Sequence, residues 1–229
     1  MPSISPRFLG FLLPILLLAT LPGPARAQDD EIEKLREAGS VLEEMLDIKE
    51  QRVPPKLLDE ARAVAIIPGV VKAGFVLGGR RGRGVLLVHR DDGSWSAPAF
   101  LTITGGSFGL QAGVSSTDVV LVFRNDGSVQ SLIDGKVTLG GNVSVAAGPV
   151  GRSAEAATDT RLKAEIYPYS RSRGAFAGVA LEGAALTFSQ ENNSALYGTG
   201  TTVNDILYGA TPPPDAAQPL RTLLAKSTS

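Results

Sequence analysis

The hydrophobic pattern of the chain changes near Val64, and this change limits the folds open to it. Before that point, apolar residues recur at helical spacing between charged ones, which predicts an amphipathic helix over about Asp30–Glu50. After it, short apolar runs alternate with glycine-rich turns. Strands that follow one another without long intervening helices pair antiparallel. The sequence therefore predicts an α+β fold, with N-terminal helices followed by a curved, Gly-rich antiparallel β-sheet that forms a sandwich or a partly closed barrel.

Proline, glycine and β-branched residues predict the boundaries of the individual elements. Val53-Pro54-Pro55 ends the first helix, and a second short helix is expected over Lys56–Ala63. The run Gly78–Gly84 (GGRRGRG) is expected to be a loop between two strands. The predicted strands are Val64–Ile67 (ended by Pro68-Gly69), Ala73–Leu77, Val85–Arg90, Trp95–Thr104, Val119–Phe123, Val137–Leu139, Val143–Ala147, Ala164–Tyr169, Phe176–Leu181 and Ala184–Ser189.

Two further short helices are predicted from their caps. Asn125 or Asp126 is placed to cap a helix over Ser128–Ile133, although Asp126-Gly127 also suits a hairpin turn. Thr202 is expected to cap a helix over Val203–Tyr208. Pro212-Pro213-Pro214 is expected to end the compact domain. The predicted organisation is a signal peptide (1–27), a helical segment (28–60), a β-rich domain (61–211) and a C-terminal tail (212–229) that is a short helix or frayed.

Residues 1–27 have the pattern of a secretory signal peptide. Arg7 supplies the positive charge, Phe8–Leu21 the apolar run, and Ala25-Arg26-Ala27 a small-x-small cleavage site. Pro14 interrupts the apolar run, which is shorter than the roughly 18–20 residues of a membrane span, so cleavage is favoured over retention as an anchor. The mature protein is therefore expected in a periplasm or outside the cell, where it can be peripheral to a membrane.

Composition excludes several classes of site. The chain has no Cys, which excludes disulfides, thiolate zinc sites and a cysteine nucleophile, and its one His excludes a multi-histidine metal cage. A net charge of −1 excludes a strongly basic nucleic-acid binder. We therefore expect no metal, no cofactor and no nucleic-acid partner. The charge is uneven, because residues 28–60 carry 11 acids and five bases, whereas residues 61–229 carry 12 acids and 15 bases.

One motif raises the possibility of an enzyme. Gly105–Gly109 (GGSFG) matches the G-x-S-x-G nucleophile elbow, with Ser107 as the nucleophile. That motif needs a strand, a sharp turn and a helix, followed later in the chain by a histidine. Here His89 precedes Ser107, and the residues after Gly109 form a poor helix. We assign no catalytic residue and keep a serine hydrolase as an alternative.

Basic residues predict a binding surface instead. Arg and Gly in loops can offer guanidinium groups and backbone N–H groups to phosphate, although an ordinary solvated loop has the same composition. Trp95, the sole tryptophan, suits an interfacial position as well as a core one. The candidate lipid-binding residues are Lys72, Arg80, Arg81 and Arg83 in the first Gly-rich segment, Arg171 and Arg173 in a second loop, and Trp95.

Five segments in order resemble the SYLF domain, a lipid-binding module also associated with actin binding in fungi. They are residues 63–87 (AVAIIPGVVKAGFVLGGRRGRGVLL), 95–114 (WSAPAFLTITGGSFGLQAGV), 136–152 (KVTLGGNVSVAAGPVGR), 165–188 (EIYPYSRSRGAFAGVALEGAALTF) and 196–209 (LYGTGTTVNDILYG). The resemblance implies a phospholipid-binding module without catalysis, similar to the exported single-domain bacterial members, with anionic lipids and phosphoinositides among the headgroups.

The resemblance also ties phosphoinositide binding in eukaryotic members to a basic amphipathic helix at the N-terminus of the domain. The corresponding residues here, 28–60, are acidic, so a general anionic or zwitterionic phospholipid is the expected ligand. The expected partner is a membrane surface, and actin binding is not expected of an exported member. A structural envelope protein that acts through protein contacts is a further alternative, and the oligomeric state is open.

Overall fold

The computed structural model describes residues 24–47, 53–74, 77–108, 113–135, 137–145, 164–173, 181 and 183–227. Its helices are α1 (Pro24–Asp47), α2 (Pro55–Asp59), α3 (Asp126–Ile133), α4 (Gln190–Tyr197), α5 (Val203–Leu207) and α6 (Gln218–Ser227), the last preceded by a 3₁₀ turn at Asp215–Ala217. None of the described helices has the length and apolar content that a membrane crossing needs. Residues 1–23 lie outside the described part, so the signal peptide stays a prediction.

In the described part of the chain, seven strands form one antiparallel sheet. They are β1 (Ala63–Gly74), β2 (Leu77–Val88), β3 (Ala99–Phe108), β4 (Gly113–Phe123), β5 (Val137–Thr138), β6 (Ile166–Arg173) and β7 (Ala185–Phe188). Their order across the sheet is β5-β7-β3-β2-β1-β4-β6. The predicted class is confirmed: helices come first, and a Gly-rich antiparallel sheet follows.

The sheet curls, so that the segment that follows β5, at one edge, reaches β6, at the other edge. After β5 at the first edge, Val145 forms a parallel bridge with Ile166 in β6. The backbone N–H groups of Glu165 and Ile166 donate to the carbonyl oxygen of Ser144 at 3.2 and 3.1 Å. These contacts join the two edges, so the architecture is a partly closed barrel.

The two faces of the sheet bury separate cores. On the first, which we call the α1 face, α1, α2 and α6 cover alternate residues of the central strands, including Val64, Val85, Phe100, Val122 and Tyr167. On the second, the α3 face, the intervening strand residues pack with α3 and α5, and they include Ala65, Leu86, Leu101, Leu121 and Leu186. A sheet covered on both faces has uniformly apolar strands, which accounts for the apolar runs in the sequence.

The apolar stripe of α1 is part of the first core. Leu35, Ala38, Val41, Leu42 and Met45 are buried at the i, i+3, i+4, i+7 spacing of one helix face. Val53, just before α2, is buried with them. The predicted amphipathic helix is confirmed, and its apolar face packs on the sheet.

The predicted GGRRGRG loop is wrong, because residues 78–84 lie inside β2. They pair in register with β1 and with β3, from Gly78↔Ser107 to Gly84↔Leu101 on the β3 side. The connection between β1 and β2 falls at residues 75–76, outside the described part. Two of the glycines are required by packing: a Cβ at Gly84 would lie 2.1 Å from the Ile66 carbonyl oxygen, and one at Gly82 would lie 2.8 Å from Val70.

Pro68-Gly69 does not end the first strand as predicted. β1 continues to Gly74, and the pairing register shifts on both sides of this dipeptide, as at a β-bulge. Gly69 has a φ of 58°, a left-handed conformation that favours glycine, and its N–H donates to Asp118 Oδ1 at 2.9 Å. The bulge therefore redirects β1 without breaking the sheet.

The capped helices are confirmed. Asn125 accepts from the Ser128 N–H at 2.7 Å and caps α3, so the helix rather than the Asp126-Gly127 hairpin forms. Thr202 and Asp205 form a reciprocal capping box at α5. The tail after Pro212-Pro213-Pro214 is a helix rather than frayed chain, and the compact unit includes it, since Leu220 and Leu224 are completely buried.

Candidate functional site

One end of the sheet extends beyond the helices that cover its middle. We call it the uncovered end and define it by residues 71–74, 78–81, 104–106 and 114–116, none of which is buried. Val71 is 43% exposed and Val114 is 78% exposed, although both lie in strands. These residues include Lys72, Arg80 and Arg81 and no carboxylate. The uncovered end is therefore cationic and carries exposed apolar side chains.

Strand alternation divides the predicted cations between the two faces. A Cβ on Gly82 would contact Val70, which belongs to the core on the α3 face. Arg80 lies two residues before Gly82 in the same strand, so it is on the same face, as is its register partner Lys72. Arg81 and Arg83 lie on the α1 face. The predicted single basic loop is thus replaced by two sets of cations on opposite sides of a strand pair.

Helix α1 neutralises two of the predicted binding residues. Arg83 donates to Glu31 Oε1 at 3.4 Å, and the Glu31 side chain is only 3% exposed. Near the other end of α1, Glu44 forms an ion pair with Arg171, which also donates to Asp118 Oδ2 at 3.1 Å. The acidic N-terminal segment therefore pairs with the basic sheet, which explains the uneven charge of the sequence.

The other predicted cations differ in their exposure and in their hydrogen bonds. In the part of the chain that the structure describes, Lys72 and Arg81 are exposed and form no ion pair or hydrogen bond. Arg80 is half-buried, its Nη2 donates to the Gly106 carbonyl oxygen at 3.3 Å, and this burial lowers the pKa of its guanidinium. Arg173 is the last residue of β6 and pairs with Ser116, and its side chain lies outside the described part.

A polar groove of about 400 Å³ lies between α1 and the bulge of β1. Its helix side carries three acids and two bases, and its sheet side includes the buried Asp118. The charged groups are already paired: Lys34 with Glu37, Arg36 with Glu33, and Asp118 with Arg171. Every charged side chain that the structure describes in the lining of the groove is therefore paired, and these pairs attach α1 to itself and to the sheet.

Trp95 does not contribute to a lipid-binding surface. It is 2% exposed, and its ring stacks on His89 with centroids 4.8 Å apart. Its carbonyl oxygen accepts from Arg221 of α6 at 2.8 and 3.0 Å. The interfacial role is wrong because the C-terminal helix covers this residue, and the alternative core role is correct.

The hydrolase alternative fails on geometry. Ser107 lies in β3 opposite Gly78 of β2, in extended strand rather than at a strand-to-helix turn. His89 follows Gly78 by 11 residues along the same strand direction, which corresponds to roughly 36 Å at about 3.3 Å per residue. The strand positions of Ser107 and His89 are therefore too far apart for a nucleophile–base pair. Among the described residues, no three His, Cys, Asp or Glu side chains are grouped so that they could hold a metal ion.

Comparison with known proteins identifies the family. Residues 104–227 match the model of the Ysc84 family, described as Las17-binding protein actin regulators. The chain belongs to the Ysc84 (SYLF) family. Protein YSC84 of Saccharomyces cerevisiae is 44% identical over 178 residues, which is 76% of this chain and 38% of that protein. LAS seventeen-binding protein 3 of the same yeast is 43% identical over 174 residues, 75% of this chain and 38% of its own length.

A human relative matches over a larger share of its length. SH3 domain-containing YSC84-like protein 1 of Homo sapiens is 36% identical over 199 residues, 84% of this chain and 58% of that protein. The chain thus spans between about two fifths and three fifths of these Ysc84-family proteins. The resemblance predicted from five segments is confirmed at the level of the family.

Sequence reasoning missed the residues of α1 that contact the strand cations. Glu31 and Glu44 are ordinary helix acids in the sequence, and nothing local distinguishes them from Glu33 or Glu43. The available signal was the opposite net charge of the two parts of the chain.

Helix α4 was also missed. Its N-cap is Ser189, and its buried Asn193 forms hydrogen bonds with the backbone of Phe100 rather than adding to an apolar stripe.

Proposed function

We propose that this chain is a non-enzymatic lipid-binding module that docks on anionic phospholipid surfaces through the uncovered end of its sheet. The observation that supports this proposal is the combination of Lys72, Arg80 and Arg81 with the exposed Val71 and Val114, without any carboxylate in the same set of residues. Peripheral membrane binding needs both contributions, since cations are attracted to anionic lipid and apolar side chains enter the interface.

The magnitude is consistent with reversible docking. Each Lys or Arg near an anionic membrane contributes about 1 kcal/mol. The two exposed cations, Lys72 and Arg81, therefore contribute about 2 kcal/mol, roughly thirtyfold in affinity, which falls as salt screens the charges. Arg83 and Arg171 contribute less than the sequence suggested, because carboxylates of α1 and β4 already neutralise them.

Vesicle co-sedimentation tests the proposal. We expect the protein to bind vesicles of mixed phosphatidylglycerol and phosphatidylcholine, and to bind phosphatidylcholine alone more weakly. The double variant K72Q/R81Q removes two exposed cations of the uncovered end. We expect it to lose about 2 kcal/mol of binding free energy, roughly thirtyfold, while high salt weakens the parent protein in the same direction.

The matched control is R62Q/K226Q, which removes the same charge far from the uncovered end. Arg62 precedes β1 at its opposite end, where it pairs with Asp91 and Asp126, and Lys226 is exposed on α6. We expect this variant to bind within about twofold of the parent, because neither residue belongs to the uncovered end that is proposed to face the membrane. Equal losses in the two variants, or binding to no vesicle of any composition, would overturn the proposal. The second outcome would favour a protein partner instead.

A further inference from the structure

Strand β1 has one extra residue at the point where it enters the uncovered end. Between the pairs Ile66↔Val85 and Val71↔Arg81, β1 is one residue longer than β2. The register with β4 shifts by one residue in the same stretch, where Pro68-Gly69 lies opposite the one residue between Thr117 and Val119. The dipeptide is therefore a bulge relative to both neighbouring strands.

The bulge reverses the alternation of side chains along β1. Before it, Ile67 belongs to the core on the α3 face. After it, Val70 belongs to that core, so Val71 lies on the α1 face and Lys72 on the α3 face. Val114 pairs with the residue two positions after Val71 and lies on the α1 face as well. The two exposed valines therefore share one face of the uncovered end, and Lys72 lies on the other.

A strand without the reversal would have the opposite arrangement. If the register of the buried half of β1 continued, Lys72 would lie opposite Val114 on the α1 face, and Val71 would lie opposite Arg80 on the α3 face. The observed register instead places Lys72 opposite Arg80, and like charges in register weaken strand pairing. Burial of Val70 and a contact at the bulge itself must therefore offset this cost.

Asp118 of β4 supplies the contact at the bulge. It is buried, and its Oδ1 accepts the N–H of Gly69 at 2.9 Å. Pro68 has no N–H to donate, and Gly69 has a left-handed φ of 58°, so the carboxylate gives this N–H an acceptor outside the regular ladder. Its Oδ2 accepts from Arg171 at 3.1 Å, and Arg171 also pairs with Glu44 of α1. The buried carboxylate thus connects the bulge to β6 and, through Arg171, to α1.

We propose that Asp118 is a positioning residue for the uncovered end: by holding the bulge, it keeps Val71 beside Val114 on the α1 face. This inference rests on the proposed lipid-binding function, in which exposed apolar side chains enter the membrane interface. Two valines on one face form a single apolar surface, whereas valines on opposite faces cannot enter the interface together. Asp118 is buried and acts on docking only through the orientation of β1.

Cysteine cross-linking measures the orientation of Val71 directly, since the chain has no cysteine of its own. Under mild oxidation, V71C is expected to form a disulfide with S116C, its partner on the α1 face, and little with S115C. D118A should move V71C towards S115C. We expect the ratio of the two products to change by about tenfold, the population shift that loss of one hydrogen bond to a charged group produces.

Two further variants separate orientation from general stability. E44Q removes a second carboxylate that pairs with Arg171 but leaves Asp118 in place, so it should keep the parent ratio of products. A variant that lacks Pro68 has no extra residue, and a regular strand then gives Val71 its native partners. In that background D118A should leave the ratio unchanged. Circular dichroism and urea unfolding verify that each variant folds.

Folding and cross-linking decide the positioning role without any lipid. A folded D118A that keeps the parent ratio would overturn the role and leave the lipid-binding proposal standing. If D118A does not fold, the double variant decides. Folding of D118A once Pro68 is absent supports the role, and failure to fold where the variant lacking only Pro68 folds would overturn it, because Asp118 would then be needed without a bulge.

Vesicle co-sedimentation tests the connection to docking. D118A should bind phosphatidylglycerol vesicles more weakly than the parent, by about fourfold for each CH₂ group that no longer enters the interface. A shifted cross-linking ratio with unchanged vesicle binding would overturn that connection. Binding of the parent to no vesicle, with the expected cross-links, would overturn the lipid-binding proposal and with it the part that this orientation has in docking.

Discussion

The middle of the sheet and its uncovered end use the same four strands, yet their side chains have different surroundings. In the middle, residues 63–67 of β1 are completely buried because helices cover both faces. At the end, Val71 and Val114 are exposed in the same strands. Arginines differ in the same way, since Arg83 pairs with α1 whereas Arg81 does not. The position of α1 across the sheet therefore determines which cations can meet a ligand.

Substituting glycine by alanine is expected to give the largest difference in unfolding free energy between the two regions, because their glycines have different surroundings. A Cβ at Gly84 would lie 2.1 Å from the Ile66 carbonyl oxygen and 2.7 Å from Ile67 Cα, whereas one at Gly106 would meet nothing within 4 Å. We expect G84A to cost about 4 kcal/mol of unfolding free energy, because backbone atoms must move apart. G106A should change it by less than about 0.5 kcal/mol. Urea unfolding measures both, and similar values would contradict the distinction.

Shortening a buried apolar side chain to Ala should lower the free energy of unfolding by somewhat less than G84A does, and the same change at the uncovered end should hardly affect it. Leu42 on α1 is completely buried, whereas Val114 is mostly exposed. L42A is expected to lower the free energy of unfolding by about 3 kcal/mol through lost burial and a residual cavity. V114A should leave it nearly unchanged but weaken vesicle binding. If L42A were neutral in urea unfolding, α1 would not be part of the cooperative unit.

Releasing Arg83 should convert a covered cation into an available one. E31Q removes the carboxylate that pairs with Arg83, while keeping an oxygen that accepts the hydrogen bond donated by Asn192. We expect it to strengthen binding to phosphatidylglycerol vesicles by up to about 1 kcal/mol, roughly fivefold. E33Q is the control, since it removes an equal charge from α1 at a residue that pairs with Arg36 of the same helix. An equal gain in both variants would indicate general electrostatics rather than release of Arg83.

The smallest expected effect concerns the capping box at the N-terminus of α5, which Thr202 and Asp205 form. Hydrogen bonds from the Thr202 side chain and backbone hold the pKa of the Asp205 carboxyl below its usual range. A lowered pKa in the folded state stabilises the fold above pH of about 4 and loses that effect as the pH falls further. D205N should therefore be less stable than the parent at neutral pH, with the difference shrinking in acid. A constant difference across this range, in urea titrations at each pH, would contradict the assignment.

Local sequence signals determined those elements whose cause is local. The amphipathic stripe of α1, the Asn125 cap of α3 and the Thr202–Asp205 capping box of α5 depend on residues within a turn or two of each other. The five SYLF-like segments likewise identify the family from the sequence. Strand runs such as Val119–Phe123 were correct for the same reason, because a buried strand needs a continuous apolar segment.

Tertiary structure decided what depends on distant partners. The composition of GGRRGRG suggests a loop. In the fold, however, the absence of a Cβ lets β2 approach β1 closely at Gly84 and pack against Val70 at Gly82. Pairing with β1 and β3 supplies the hydrogen bonds of the backbone in this segment. The pairing of Arg83 with Glu31 joins residues 52 positions apart. Burial of Trp95 requires α6, which follows three prolines. Nearest-neighbour chemistry cannot specify these contacts, since each arises only when the curled sheet places remote segments together and excludes water between them.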